Sequence, residues 1–367
     1  MNNRIQSIHF LRGIAAVCVV LYHFKGYLND VYAQKDLGKI LFGSGAFGVD
    51  LFFMISGFII ALSSQKVTPN LVFAIRRFFR IYPAFIVIFL IGVVFVYRFD
   101  PNENILRGMF FIHRDYSIES PGFGYNVLGP AWTLTYEIYF YTVFAISMSL
   151  SHRFRTLIAS IMLASSVFII QYYYDGSISV SGLASASVPH DSYAFGLLRF
   201  MSSPIILEFV VGMAFYELFR NMKLKVTSGM ATFIFFSTIG ISLTNYFTGY
   251  FTGFGLDKAG AFSIILLFGF LTYDKYVGFK ENKTLSFLGD VSFSVYISHY
   301  LFINLMNFYR PDFYVDSNGI GRLSMMLTIT FIAGTALHYC IERPFIKVGK
   351  LIEKRVTEVI QSKRHMA

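Results

Sequence analysis

The chain has little charge, little cysteine and almost no tryptophan. Charged residues make up 14% of its 367 positions, against about 25% in soluble domains. That scarcity excludes a water-soluble surface over most of its length. Both cysteines, Cys18 and Cys340, fall in apolar stretches. A disulfide scaffold is therefore not expected, and packing is the expected role. There is no Cys-x-x-Cys pair, no glycine-rich phosphate loop and no His-x-x-x-His pair. His9, His113, His152, His190 and His338 stand at no ligand spacing, and no metal is predicted. No internal repeat is visible, which leaves a transporter built from inverted repeats without support. No linker or low-complexity block divides the chain, and no soluble domain is expected beside it.

What the chain does have is apolar length. It is 55% hydrophobic, with 43 Phe and 24 Tyr beside a single Trp, and its mean hydropathy is +0.57. About ten stretches are long enough to cross a hydrocarbon layer of roughly 30 Å. They are 8–27, 47–64, 82–98, 131–150, 154–174, 199–219, 227–247, 259–274, 286–308 and 322–342. The fold expected is all-α, a polytopic integral membrane helix bundle with both termini inside. The first stretch carries Arg12 and His23 and lacks a small-residue cleavage pattern, so it reads as a membrane helix and not a cleaved signal.

Orientation follows from Lys and Arg. With the N-terminus inside, the inner loops hold Arg4; Lys66, Arg76, Arg77 and Arg80; Arg153 and Arg155; Arg220, Lys223 and Lys225; Lys275, Lys280 and Lys283. The tail adds Arg343, Lys347, Lys350, Lys354, Arg355, Lys363 and Arg364. That is about 20 positive residues inside and about 10 outside. The net charge of +10 is thus a topology signal spread over short loops, and a nucleic-acid partner is not expected. The domain reading is a transmembrane domain over 1–345 and a basic amphipathic cytoplasmic tail over 346–367, suited to the anionic inner leaflet. The longest outer loops, 99–130 and 175–198, exceed the usual connection length and are candidate lids or binding segments.

Arg12 and His23 are the informative pair. A charged side chain in an apolar helix costs a few kcal/mol and needs a reason. Eleven residues at about 100° each come to roughly three turns, so the two share a helix face about 16 Å apart along the axis. One face offers a fixed cation at one end and a titratable base at the other. A phosphate-bearing donor with a long arm fits that spacing.

Six segments together resemble acyltransferase family 3. They are Arg12 and His23 with ten residues between them; Gly48-Val-Asp50 leading to Ser56-Gly57-Phe; and Arg76-Arg77-Phe-Phe-Arg80-Ile-Tyr82-Pro83. Then come Pro130-Ala-Trp132-Thr133 with Tyr136-Glu137; Phe293-Ser294-Val-Tyr296-Ile-Ser-His299; and Glu342-Arg343-Pro344. Thr133 stands where the family often has Ser. The resemblance covers nearly the whole chain in order. It implies transfer of an acyl group, commonly acetyl from acetyl-CoA, to sugars of cell-envelope glycans such as O-antigen or exopolysaccharide. It implies a multi-pass protein of the bacterial inner (cytoplasmic) membrane. The SGNH-type domain that many members append is not expected here.

Such a transfer needs a base for the sugar hydroxyl, a cationic site for the CoA phosphates and a donor for the developing oxyanion. His23 is the base expected, because its ordinary pKa lies near neutrality. Glu137 is the expected orienter of its second ring nitrogen, with Asp50 next. Both acids lie toward the outer ends of their helices, at the level expected for His23. Arg12, Arg77 and Arg80 are the expected CoA-binding residues, since guanidinium suits bidentate phosphate contact. His299, Trp132 and Tyr136, with Tyr22 nearby, are candidates for the acceptor sugar. Gly43-Ser-Gly45-Ala-Phe-Gly48 reads as a flexible lead-in loop to the second helix. Each of these residues also has a structural alternative: anchor, inter-helix tie or packed aromatic. Expected partners are acyl-CoA, a glycan or lipid-linked glycan, and membrane lipids. The competing function is a transporter or flippase of a lipid-linked glycan.

Overall fold

All ten apolar stretches become helices. The computed structural model describes residues 5–222 and 225–366, and among these it contains helices and connections but no strand. Arg4 and Lys223, and the side chains of Lys363 and Arg364, lie outside the described residues. In chain order the helices begin with α1 (Gln6–Phe24), short α2 (Leu37–Phe42), α3 (Phe47–Ser63) and α4 (Asn70–Phe95). Short α5 (Asn102–Met109) sits in the first long loop, followed by α6 (Trp132–Leu150) and α7 (Arg155–Asp175). Next come α8 (Phe195–Met201), α9 (Leu207–Asn221), α10 (Ser228–Thr248) and α11 (Ala259–Tyr276). The chain closes with α12 (Lys283–Tyr309), one-turn α13 (Asp312–Val315), α14 (Gly319–Leu337) and α15 (Arg343–Met366).

Among the described residues, six spans are long and apolar enough to cross a membrane by length and composition; α8 and α9, bent by 46° at Pro204, make a seventh when counted as one. The ends obey local chemistry. Thr227 Oγ1 accepts from Met230 N at 3.2 Å and Asn282 Oδ1 from Leu285 N at 2.9 Å, capping α10 and α12. Gly249 stops α10 in a left-handed conformation (φ 64°), which only glycine adopts cheaply.

One start differs from expectation. Hydropathy places the third apolar stretch at 82–98, but α4 begins at Asn70, so Arg76, Arg77 and Arg80 lie within a helix and not in a loop. Each has a polar partner that makes this tolerable: Arg76 pairs with Glu353, Arg77 donates to Ser63 and Arg80 pairs with Glu342. Another difference lies at the C-terminus. A π-helical turn, His338–Glu342, joins α14 to α15 with no break at residue 345. The tail lies along α4, where Gly349 faces the Phe79 ring and Glu353 meets Arg76.

Packing of α1 sets the frame. It lies between α12, α3 and α11. A Cβ on Gly13 would stand 2.8 Å from the Gly289 backbone, so α1 and α12 touch backbone to backbone. Across α3 and α9, a Cβ on Gly212 would stand 1.9 Å from the Met54 carbonyl. Small residues at such crossings supply the close van der Waals contact that holds membrane helices together. Gly45 and Gly48 belong to this set: a Cβ there would meet the Cys18 and Ala15 carbonyls at 2.3 and 2.5 Å. The glycine run before α3 is therefore a packing surface against α1, and not the free loop expected.

Candidate active site

Arg12 and His23 of α1 both reach α12. Arg12 Nη2 donates to Ser292 Oγ at 3.2 Å, and His23 Nδ1 lies 3.3 Å from His299 Nε2. Around these contacts the helices leave two cavities, one toward each end of α1.

The first has a volume of about 130 Å³ and is lined by Arg12, Arg77 and Arg80 together with Ser56, Glu137 and Tyr141. Arg77 donates to Ser63 Oγ at 2.8 Å and stands 5.4 and 5.6 Å over the Phe73 and Tyr141 rings. Arg80 is ion-paired with Glu342, which also accepts from Ser294 Oγ at 2.7 Å and His338 Nδ1 at 2.9 Å. Glu137 accepts from Ser56 Oγ at 2.9 Å and from the Tyr141 hydroxyl at 2.8 Å. Three guanidinium groups and the Glu137 carboxylate line this cavity, in a low-dielectric setting where charges interact strongly. Planar guanidinium edges of this kind suit phosphate oxygens.

The second cavity has a volume of about 800 Å³ and is lined by His23, Tyr22, Trp132, Tyr300 and residues of the first long loop. His23 Nδ1 lies 2.9 Å from the Val19 carbonyl, which can only accept, so Nδ1 carries the ring proton. His299 Nδ1 likewise faces the Tyr296 carbonyl, leaving its Nε2 as a second acceptor for the same His23 proton. This arrangement leaves the lone pair of His23 on Nε2, as a general base requires. The Tyr22 and Tyr300 rings stand edge-on to the imidazole at 5.2 and 5.4 Å and hold its plane.

Val49 and Tyr296 line both cavities. The wall between them is therefore about one side chain thick. The Tyr296 hydroxyl lies 3.1 Å from both Thr133 Oγ1 and the Pro130 carbonyl, which fixes it at this wall.

Several expected neighbours are elsewhere. Glu137 lines the cavity of the three arginines and has no contact with His23, so the expected dyad is not what the geometry brings together. Asp50 is fully buried, accepts from Gly255 N at 2.8 Å and neighbours the buried Glu208. It lines neither cavity. Of the three residues expected to bind sugar, Trp132 lines the His23 cavity and His299 lies behind His23, fully buried. Tyr136 is fully buried too, its hydroxyl donating to the Pro121 carbonyl at 3.0 Å, and it faces the aromatic core. Depth along the helices put Glu137 and Asp50 at the level of His23; the structure puts Glu137 with the three arginines and Asp50 in neither cavity.

Sequence reasoning passed over Glu208 and Glu342. Both are acids inside apolar stretches, and the rule that singled out Asp50 and Glu137 flags them equally. Nothing in the sequence marked Tyr296 as part of the wall.

A family model for an acyltransferase domain matches residues 5–339. Among curated proteins, the exopolysaccharide production protein ExoZ of Rhizobium meliloti is 26% identical, over 86% of this chain and 93% of its own. Acyltransferase MdmB of Streptomyces mycarofaciens is 24% identical, over 94% of this chain and 92% of its own. Peptidoglycan O-acetyltransferase OatA of Listeria monocytogenes is also 24% identical, over 94% of this chain and 56% of its own. No solved structure matches.

Proposed function

The chain belongs to acyltransferase family 3, and on that premise we propose that it is a membrane O-acyltransferase moving acetyl from cytoplasmic acetyl-CoA to a hydroxyl of a cell-envelope glycan. The names of two relatives support the acceptor class: one is an exopolysaccharide production protein and the other a peptidoglycan O-acetyltransferase. The setting proposed is the bacterial inner membrane, with ten spans and both termini cytoplasmic, supported by the Lys and Arg of the inner loops.

One observation carries the reading. Two cavities of opposite character stand at opposite ends of α1 and share a wall at Val49 and Tyr296. The donor's phosphates belong with Arg12, Arg77 and Arg80. Its pantetheine arm brings the thioester to the wall. From the other side a sugar hydroxyl meets His23, whose Nε2 takes the proton as the oxygen attacks the thioester carbonyl. The hydroxyls of Thr133 and Tyr296, at the wall, are the nearest groups for the oxyanion. The C–S bond then breaks, and the CoA thiolate leaves on the side from which it came. Nε2 also suits direct attack, giving an acyl-histidine that the sugar resolves.

Sealed inside-out vesicles test the sidedness. Acetyl-CoA on the cytoplasmic face is expected to support acetylation of a lumenal acceptor, and acetyl-CoA enclosed with that acceptor is not. His23→Ala is expected to remove transfer at unchanged protein level, as loss of a base costs about 10² to 10⁴ in rate. Glycan translocation without CoA release would replace this reading by the flippase.

A further inference from the structure

The outer cavity is about six times the size of the inner one, at roughly 800 against 130 Å³. A site for a drug-sized ligand spans about 300–1,000 Å³, and the outer cavity is of that size. One sugar ring at His23 leaves much of this space empty. The direction of the surplus can be read along α12. Tyr300 stands beside His23, at 5.4 Å between ring centroids. Asn304 and Asn307 follow on the same helix and line the same cavity, about 6 and 10 Å further out by helical rise.

Those amides keep unused hydrogen-bonding capacity. Asn304 gives one amide hydrogen to the Tyr97 hydroxyl at 2.8 Å, and its carbonyl remains. Asn307 accepts from the Tyr314 hydroxyl at 2.9 Å with its carbonyl, and its two amide hydrogens remain. Across from them Arg114 donates to Asp100 at 2.7 Å, and both line the cavity. The Arg114 Nε is buried and has no hydrogen-bond partner. Planar amides and a paired carboxylate–guanidinium suit the vicinal hydroxyls of a sugar ring, and Trp132 and Tyr125 add aromatic faces.

Charge separates this cavity from the other. Asp100 and Arg114 cancel, and among the described residues that line it His23 is their only other titratable companion apart from tyrosines. Those lining residues hold no surplus cation for a phosphate or a uronate. The other cavity is lined by three arginines.

We propose that the outer cavity binds at least two linked, uncharged sugar rings: the acylated ring at His23, and the next ring outward at a distal subsite made by Asn304, Asn307 and the Asp100–Arg114 pair. This deepens the transferase reading and rests on it. The acceptor is then an uncharged oligosaccharide portion of the glycan, and any anionic or lipid-linked part stays outside the cavity.

The test uses the purified transferase, acetyl-CoA, and envelope glycan from the producing cells, partly hydrolysed and sorted by length and charge. kcat/KM for the acceptor is expected to rise about tenfold or more from one ring to two or three, then level off. Asn304→Ala and Asn307→Ala, made separately, are expected to raise KM about tenfold for acceptors of two rings or more, as loss of one or two hydrogen bonds implies. With one-ring acceptors their KM is expected to match that of the unsubstituted protein, and the KM for acetyl-CoA is expected to hold. Equal efficiency for one ring and three overturns the inference. So does a preference for the anionic fractions, or a fall in kcat alike for every length. Transfer to no fraction at all overturns the transferase reading itself, and the inference with it.

Discussion

Replacing His299 tests what the second imidazole does. Its Nε2 lies 3.3 Å from His23 Nδ1, which also has the Val19 carbonyl at 2.9 Å. The proton on His23 Nδ1 thus has two acceptors, and His299 is the more distant. In the proposed mechanism His23 becomes a cation as it takes the hydroxyl proton, and both acceptors then stabilise it. A hydrogen bond to a charged group contributes about 1.5–3 kcal/mol. The long and shared geometry puts His299 at the lower end, about 1.5 kcal/mol, or roughly tenfold in rate. His299→Ala is therefore expected to lower kcat about tenfold, far less than His23→Ala. The assay is acceptor-dependent CoA release, read by thiol trapping on purified protein, with thermal midpoints to check folding. A loss matching that of His23→Ala would place His299 in the proton path itself and refute the positioning role. No loss in kcat would refute it from the other side.

Three further outcomes follow from the packing. Glu342→Ala leaves Arg80 without its ion-pair partner. Breaking a buried pair costs about 3–5 kcal/mol, and with Arg80 29% exposed the lower end is expected in the unfolding midpoint; an unchanged midpoint would mean Arg80 finds another partner. Gly212→Ala puts a methyl 1.9 Å from the Met54 carbonyl and is expected to destabilise by about 1–3 kcal/mol. Gly240→Ala meets nothing within 4 Å and is expected to be neutral or better; equal losses at both sites would refute the close crossing. Tyr296→Ala opens the wall between the cavities, so CoA release without acceptor is expected to rise as water reaches the thioester, whereas Tyr296→Phe keeps the ring and the barrier. Unchanged hydrolysis in Tyr296→Ala would show that the ring does not seal the site.

Hydropathy read the helices well because membrane spans must satisfy their backbone internally, and length is then enough. It misplaced the start of α4 because a run of three arginines scores as a loop, while Ser63, Glu342 and Glu353 supply its partners from 14 to 277 residues away. The Arg12–His23 face was legible because both residues sit on one helix, where spacing fixes azimuth. Glu137 and Asp50 were not, because the azimuth of a different helix depends on packing that no spacing encodes. Asp50 turns toward Glu208 and the Gly255 amide, and that amide comes from a loop 205 residues further along. His299 met His23 because α1 and α12 touch at Gly13 and Gly289, a crossing that local sequence does not announce.

The thin wall at Val49 and Tyr296 also concerns voltage. Water-filled hollows conduct, so an electrical potential across the bilayer falls mostly over the dry layer between them. Any charge carried through that layer works against the field, about 2.3 kcal/mol per elementary charge per 100 mV. CoA, with its phosphates, would meet that field at its most concentrated. On the proposed transfer, an uncharged acetyl group would cross without electrical work. The cargo suited to so narrow a partition is therefore a neutral one, and the proposed charged carrier would stay in the compartment where it can be reloaded.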